Sequence, residues 1–102
     1  MVTVKRTRAN VLTTLEAKER TLRRLGVRRL GLFGSVARDE AREASDLDFV
    51  VELDEKTFDR YMDLKLYLEE LFGCPVDLVL ADSIKPRLRS TILDEAVYAA
   101  GF

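Results

Sequence analysis

Residues 29–53 read RLGLFGSVARDEAREASDLDFVVEL and contain two apolar runs joined by a polar segment. The first run, residues 29–33, ends at a Gly-Ser pair and predicts a short strand followed by a turn. Residues 36–41 are favourable for a helix, and a polar loop follows them. The second run, residues 47–53, has the β-branched and aromatic character of a buried strand. This stretch therefore predicts a strand, a turn that opens a helix, a loop and a second strand.

Helical and extended patterns lie on both sides of this stretch. Apolar residues near helical spacing predict an amphipathic helix from about residue 9 to residue 25. A wider apolar surface over residues 57–72 predicts a helix that ends at Gly73. Residues 76–80 predict a third strand, and residues 88–100 predict a closing amphipathic helix that runs almost to the chain end. The predicted element order is αβαβαβα.

This order corresponds to the α/β (α+β) class, with helices packed on a small mixed β-sheet. The chain has 102 residues, of which 47% are hydrophobic and 34% are charged, so we expect residues 1–102 to form a single domain. No apolar stretch approaches the roughly 20 residues that span a bilayer. Because the N-terminal residues also lack the apolar core of a secretory signal, we expect a cytoplasmic protein.

The residue types that are missing exclude several kinds of chemistry. The sequence has no histidine, and Cys74 is its single cysteine. Zinc fingers, histidine general bases, Ser-His-Asp triads and intramolecular disulfides are therefore excluded. Any metal ion must be bound by oxygen atoms, which favours magnesium or manganese over zinc or copper.

Charge is distributed unevenly along the chain. Residues 1–29 contain nine Lys or Arg and two Glu, a net charge of +7, whereas residues 30–102 contain eight Lys or Arg and sixteen Asp or Glu, a net charge of −8. Two interpretations fit this pattern. The basic residues form either a solvated helix face that balances an acidic body or a docking surface for a polyanion or an acidic partner.

Three aspartates lie on or beside predicted strands that are otherwise apolar: Asp46, Asp48 and Asp77. If the strand begins by Asp46, its side chain and that of Asp48 leave the same face, with Cα atoms roughly 6.5 to 7 Å apart. Asp77 reaches the same place if its strand is the neighbour. Crowded carboxylates in an apolar setting repel each other unless a cation binds them or they take up protons. The alternative is that Asp46 caps a turn, Asp48 starts a strand and Asp77 points to solvent.

The Gly34-Ser35 turn is a predicted phosphate-binding site. A glycine between a strand and a helix lets the backbone approach a phosphate closely, and N–H groups of the first helical turn and the Ser35 hydroxyl can donate to its oxygens. Arg38 lies one predicted helical turn from Ser35, with no acidic residue at the helical positions three and four away, so it can contact a phosphate. The alternatives are an ordinary turn with Ser35 as a helix N-cap, and an Arg38 that pairs with a distant carboxylate or faces solvent.

These elements occur in one order along the chain: Gly34-Ser35, Ala37-Arg38, Asp46-Leu47-Asp48 and Asp77. The combined pattern resembles the minimal nucleotidyltransferase (MNT) family of the DNA polymerase β-like superfamily, and the resemblance covers most of the chain. It implies a polymerase β-like nucleotidyltransferase fold. One departure is Asp39, where many relatives have glycine after the arginine.

The resemblance also implies roles for individual residues. Gly34 and Ser35 would hold the β- and γ-phosphates of a nucleoside triphosphate, with ATP as the expected donor. Asp46 and Asp48 would ligate metal ions, with two Mg²⁺ expected and Mn²⁺ as an alternative. Asp77 would ligate the catalytic metal and help to deprotonate an acceptor hydroxyl, which would attack the α-phosphorus in line.

The same resemblance implies a protein partner. Proteins of this kind are often antitoxins of HEPN/MNT toxin–antitoxin modules, and some neutralise a HEPN-family ribonuclease by adding AMP to a tyrosine. Two other functions remain open: an antitoxin that blocks its partner by contact through the apolar surface of residues 57–72, and a transferase for a small hydroxylated compound such as an aminoglycoside. Direct nucleic-acid binding is not favoured, because no aromatic residues are interleaved with the basic residues of the first helix.

Overall fold

The protein is described by a computed structural model that covers residues 7–38 and 46–100. Its helices and strands, in chain order, are α1 (Arg8–Ala17), α2 (Glu19–Arg24), β1 (Val27–Phe33), α3 (Gly34–Ala37), β2 (Leu47–Leu53), α4 (Phe58–Phe72), β3 (Val76–Leu80), a 3₁₀ turn (Ala81–Ser83), α5 (Pro86–Glu95) and β4 (Val97–Tyr98). None of the helices in these two ranges is long and apolar enough to cross a membrane.

The strands form one four-stranded sheet in the order β3-β2-β1-β4. β1 runs antiparallel to β2 and to β4, whereas β2 and β3 are parallel. Two parallel neighbours need a long crossover, and the 15-residue helix α4 provides it. The predicted class, a small mixed sheet with helices packed on it, is confirmed.

Local sequence signals explain where α4 begins and ends. The Thr57 hydroxyl accepts a hydrogen bond from the Arg60 backbone N–H at 3.2 Å, which caps the first turn. Gly73 ends the helix in the left-handed conformation, with φ +66°. Between these ends, Leu64 and Leu68 are one turn apart and fully buried against the sheet.

Aromatic residues connect α4 to the strands on either side of it. The Tyr61 hydroxyl donates to the backbone carbonyl oxygen of Leu78 in β3 at 2.6 Å. Near the other end of the helix, the rings of Phe72 and Phe49 have centroids 5.8 Å apart, and Phe49 is fully buried in β2. These contacts hold β2 and β3 in one position relative to the crossover helix.

The predicted opening helix is two helices rather than one. α1 ends at Ala17 and α2 begins at Glu19, with Lys18 in a non-helical conformation between them. The break occurs without glycine or proline, so the sequence carries no local signal for it. Leu15 and Leu22 are both fully buried, and the turn lets each helix direct its own leucine into the core.

The predicted closing helix is wrong beyond Glu95. Ala96 is extended, and β4 then pairs antiparallel with Gly31 and Leu32 of β1. This pairing satisfies backbone groups that β1 would otherwise leave open at its edge. Gly31 provides the space, because a Cβ at that position would lie 3.1 Å from ring carbons of Tyr98. In a segment this short, the spacing of the apolar residues fits both a helix and an edge strand.

Acidic residues at the end of β2 partly balance the basic N-terminal region. Arg28 lies 3.4 Å from Asp54, and Arg29 lies 3.5 Å from Glu52. The Arg29 guanidinium also lies over the Tyr98 ring, 4.1 Å from its centroid. These contacts pair two basic residues of β1 with acidic residues at the end of β2.

Two leucines of α4 allow a matched test of where the stability of this fold originates. Replacing the fully buried Leu64 by alanine should lower the free energy of unfolding by about 2–5 kcal/mol, because it removes contacts and leaves a cavity. The same change at Leu66, which is 57% exposed, should alter it by no more than about 0.5 kcal/mol. Urea unfolding measures both variants, and equal losses would contradict the packing described for α4.

Candidate active site

The parallel pairing of β2 with β3 places Asp48 directly opposite Asp77. Neighbouring strands lie about 4.8 Å apart, so paired residues on one face present their side chains to each other. Two residues further along these strands, Val50 and Val79 pack in the smaller apolar cluster together with Ala81. The two carboxylates therefore lie where the apolar cover on this face of the sheet ends. Their expected adjacency, which required neighbouring strands, is present.

The pKa of the Asp48 carboxyl group departs from its ordinary value. This pKa is raised from 3.8 to about 6, first because burial disfavours the charged form. A hydrogen bond with Asp77 and the negative charges of Asp77 and Asp46 raise this pKa further, while the positive charge of Arg38 opposes them. Asp48 therefore binds a proton more tightly than an ordinary aspartate, and Asp77 shares a hydrogen bond with it.

Gly34 lies against the Asp48 carboxylate. The antiparallel register of β1 with β2 sets Phe33 opposite Asp48, and the chain turns at Gly34 with φ +77°. A Cβ built on Gly34 would lie 3.1 Å from Cγ of Asp48 and 3.3 Å from its Cβ, and it would overlap a carboxylate oxygen. The position requires glycine for two reasons, the left-handed backbone and the close carboxylate.

The short helix α3 holds this turn in place. Val36 and Ala37 are buried, and Ser35 is half-buried beside them. The backbone N–H of Arg38 donates to the carbonyl oxygen of Gly34 at 3.2 Å, which closes the single helical turn. The predicted helix extended to residue 41, whereas α3 ends at Ala37, and Asp39 and Ser45 lie outside the described residues.

Arg38 pairs with a distant carboxylate, which is one of the alternatives that the sequence leaves open. Its Nη1 donates to Oε1 of Glu95 at 3.1 Å, and the two residues are 57 positions apart in the chain. Which carboxylate this is depends on tertiary structure, because Glu95 lies at the end of α5. The charge of Arg38 also reaches the site, because it lowers the pKa of Asp48.

Asp46, like Asp77, is exposed, whereas Asp48 is half-buried. Asp46 precedes β2, which begins at Leu47, and its charge still raises the pKa of Asp48. Within residues 7–38 and 46–100, no group of three or more Asp, Glu or Cys side chains is arranged to hold a metal ion. The structure thus brings Asp48 and Asp77 together, and it leaves Asp46 at the edge of the pair.

The donor set of the pair fits a hard divalent cation. Asp48 and Asp77 offer only carboxylate oxygens, which are the ligands that Mg²⁺ and Mn²⁺ prefer. The raised pKa of Asp48 shows that negative charge is unfavourable at this position. A cation bound by the two carboxylates would offset that charge in place of the shared proton.

Comparison with known proteins points to one family. Residues 15–99 match the nucleotidyltransferase domain family. The chain is similar to the protein adenylyltransferase MntA of Thermococcus cleftensis, with 44% identity over 86 residues that cover 82% of this chain and 87% of that protein.

Solved structures agree with this match. One of a candidate minimal nucleotidyltransferase aligns with a TM-score of 0.70 at 45% identity, covering 84% of this chain and 93% of that one. A chain in the structure of a tri-AMPylated HEPN toxin in complex with MNT antitoxin, from Shewanella oneidensis, aligns with a TM-score of 0.64. Its identity is 21%, with 89% of this chain and 73% of that one covered, so it supports the fold alone.

Alanine variants of Gly34 and Gly73 separate the loss of stability caused by the close carboxylate from the loss caused by the left-handed backbone. Both have positive φ, but a Cβ on Gly73 would have no atom within 4 Å. Gly73→Ala should therefore lower the free energy of unfolding by about 1–2 kcal/mol through backbone strain alone. Gly34→Ala should lower it by more, because the added methyl also displaces the Asp48 carboxylate. Urea unfolding at pH 7 gives both free energies. Equal losses would mean that the Asp48 side chain moves aside without an energetic cost.

The raised pKa of Asp48 predicts a pH-dependent effect of Asp48→Asn on stability. Between pH 3.8 and about 6 the unfolded chain ionises Asp48 while the folded chain retains the proton, so this group lowers stability as pH rises. Below that window Asp48 is protonated in both states. The asparagine variant should therefore be more stable than the wild type above pH 6, and the difference should shrink towards pH 4. Thermal melts across this range measure it, and a wild type more stable than the variant at pH 7 would contradict it.

Proposed function

The chain belongs to the minimal nucleotidyltransferases within the nucleotidyltransferase domain family, and from that premise we propose that it is a metal-dependent protein adenylyltransferase. In this proposal it transfers AMP from ATP to a hydroxyl group of a partner protein. The similarity to a protein adenylyltransferase over 82% of the chain supports AMP as the transferred group. The observation that carries the proposal is the meeting of Asp48 and Asp77 beside the Gly34 turn.

The proposed chemistry assigns a separate task to each part of the site. Gly34 and Ser35 bind the β- and γ-phosphates through backbone N–H groups and the serine hydroxyl. Asp46, Asp48 and Asp77 are the proposed ligands of Mg²⁺, which neutralises charge on the triphosphate when it is bound. The glycine at position 34 lets the phosphates approach next to the carboxylates.

Proton transfer in this proposal falls to Asp77. It is exposed in β3, so a hydroxyl from another molecule can reach it, whereas Asp48 is half-buried. As the hydroxyl oxygen bonds to the α-phosphorus, its proton passes to the Asp77 carboxylate. The bond from that phosphorus to the bridging oxygen breaks on the opposite side, and pyrophosphate leaves. Catalysis then depends on positioning and charge neutralisation and needs no covalent enzyme intermediate.

We propose a HEPN-family toxin as the protein acceptor and a tyrosine hydroxyl as the acceptor group. The resemblance to minimal nucleotidyltransferases suggests this choice, and a chain in the complex of a tri-AMPylated HEPN toxin with an MNT antitoxin has the same fold. The chain would then act as an antitoxin that modifies its toxin.

A second candidate function is neutralisation by contact without catalysis. Phe58 is 75% exposed and Leu66 is 57% exposed on α4, and large apolar side chains at these levels of exposure favour a protein contact. This function predicts that cells expressing the toxin still grow when Asp48 and Asp77 are both replaced by asparagine. The catalytic function predicts that they do not.

Labelled ATP provides the direct test of AMP transfer. With Mg²⁺ and the protein encoded next to this gene, the wild type should label that protein, and a chelator should stop the reaction. Asp48→Asn and Asp77→Asn should each lower the rate at least about 100-fold, because each removes a group on which positioning or proton transfer depends.

The control for this test is Asp54→Asn. Asp54 follows the other end of β2, and its exposed pairing with Arg28 contributes little to stability. This variant should label the partner at the wild-type rate. Labelling that persists at that rate in the Asp48 and Asp77 variants would contradict the proposed site.

A further inference from the structure

The end of α5 lies next to the proposed nucleotide site. Glu95 is the last residue of this helix, and its Oε1 accepts a hydrogen bond from Nη1 of Arg38 at 3.1 Å. The Arg38 side chain is 44% exposed and that of Glu95 is 34% exposed. An ion pair with this exposure typically contributes little to folding. Its effect on folding is therefore small, and its location beside the Gly34 turn is its distinguishing feature.

Both members of the pair are held by the backbone. The N–H of Arg38 donates to the carbonyl oxygen of Gly34, so the base of its side chain moves with the turn. On the other side, the N–H of Ala96 donates to the carbonyl oxygen of Ile92 at 3.0 Å, and β4 begins one residue later. Glu95 is thus fixed between a helix end and a sheet edge, and it accepts a hydrogen bond from the far end of the long Arg38 side chain.

We propose that Glu95 is a positioning residue for the nucleotide, which holds the guanidinium of Arg38 beside the Gly34 turn so that the triphosphate meets it already oriented. This inference rests on the proposed function. A guanidinium is a planar fork of five N–H donors, so a bond from Nη1 to Glu95 sets the direction of the whole group. Fixing that direction before binding removes part of the side-chain entropy that binding would otherwise lose.

The opposite effect of Glu95 is physically conceivable, because its negative charge would repel a triphosphate and could hold Arg38 away from the site. The geometry favours positioning. While its guanidinium is bound to Glu95, the backbone N–H of Arg38 is bonded to Gly34, which lies against the Asp48 carboxylate, so the side chain stays at the edge of the carboxylate pair. The two effects predict opposite changes in nucleotide affinity.

The test uses the full chain with Glu95→Ala, and with Asp94→Ala as a control at the exposed neighbouring position. Binding of ATP with Mg²⁺ is measured by calorimetry, and KM and kcat are measured for AMP transfer. Glu95→Ala should raise the Kd and the KM for ATP about 3- to 5-fold, the range expected for loss of an exposed charge pair, with little change in kcat. Glu95→Gln, which keeps an accepting oxygen, should recover part of the loss, and Asp94→Ala should match the wild type.

A double-mutant cycle separates positioning from a general loss of structure. In an Arg38→Ala background, Glu95→Ala should change the Kd for ATP less than 1.5-fold, because its proposed effect passes through the arginine. An unchanged or lower Kd in Glu95→Ala alone would overturn the inference, as would an equal loss in the Arg38→Ala background. A wild type that binds ATP but transfers no AMP would overturn the proposed function instead, and the measured Kd values would still decide the role of Glu95.

Discussion

The parallel, in-register pairing of β2 with β3 is the constraint on which the proposed site depends. It sets Asp48 beside Asp77, and a shift of one residue would send one carboxylate to the opposite face of the sheet. The register is in turn held by α4, since Leu64 and Leu68 pack into the core that Phe49 fills from β2. Packing on the apolar face of the sheet thus sets the positions of the carboxylates on the other face.

The site is locally unfavourable, and the core on the other face compensates for it. Asp48 is half-buried next to Asp77, and its raised pKa reports the resulting electrostatic penalty. Gly34 has a left-handed backbone against the same carboxylate, where a residue with a side chain would be strained. Features of this kind are found where function requires them, because folding alone would select apolar or well-paired residues there. A bound cation and triphosphate would convert this repulsion into attraction.

Sequence patterns predicted the strands that are continuous apolar runs. The strands at residues 47–53 and 76–80 have the predicted bounds, because each is a short apolar run between turn residues. The helix break at Lys18 was missed, since packing of Leu15 and Leu22 decides it and no local signal marks it. In the candidate site, the sequence predicts that Asp48 and Asp77 meet only if their strands are neighbours, and the sheet order fulfils this condition. The identity of Glu95 as the partner of Arg38 has no local signal, because it depends on tertiary structure over 57 residues.

The extended C-terminal segment and the ion pair of Arg38 with Glu95 have one physical cause. β1 leaves an open edge, and Val97 and Tyr98 pair with it where Gly31 makes room for the tyrosine ring. The chain must be extended to do so, and α5 therefore ends at Glu95. A helix continued through this segment would carry these residues away from the sheet. The pairing of β4 with β1 therefore sets the position of the Glu95 carboxylate, which binds Arg38. In this way the edge strand contributes to the geometry of the proposed nucleotide site.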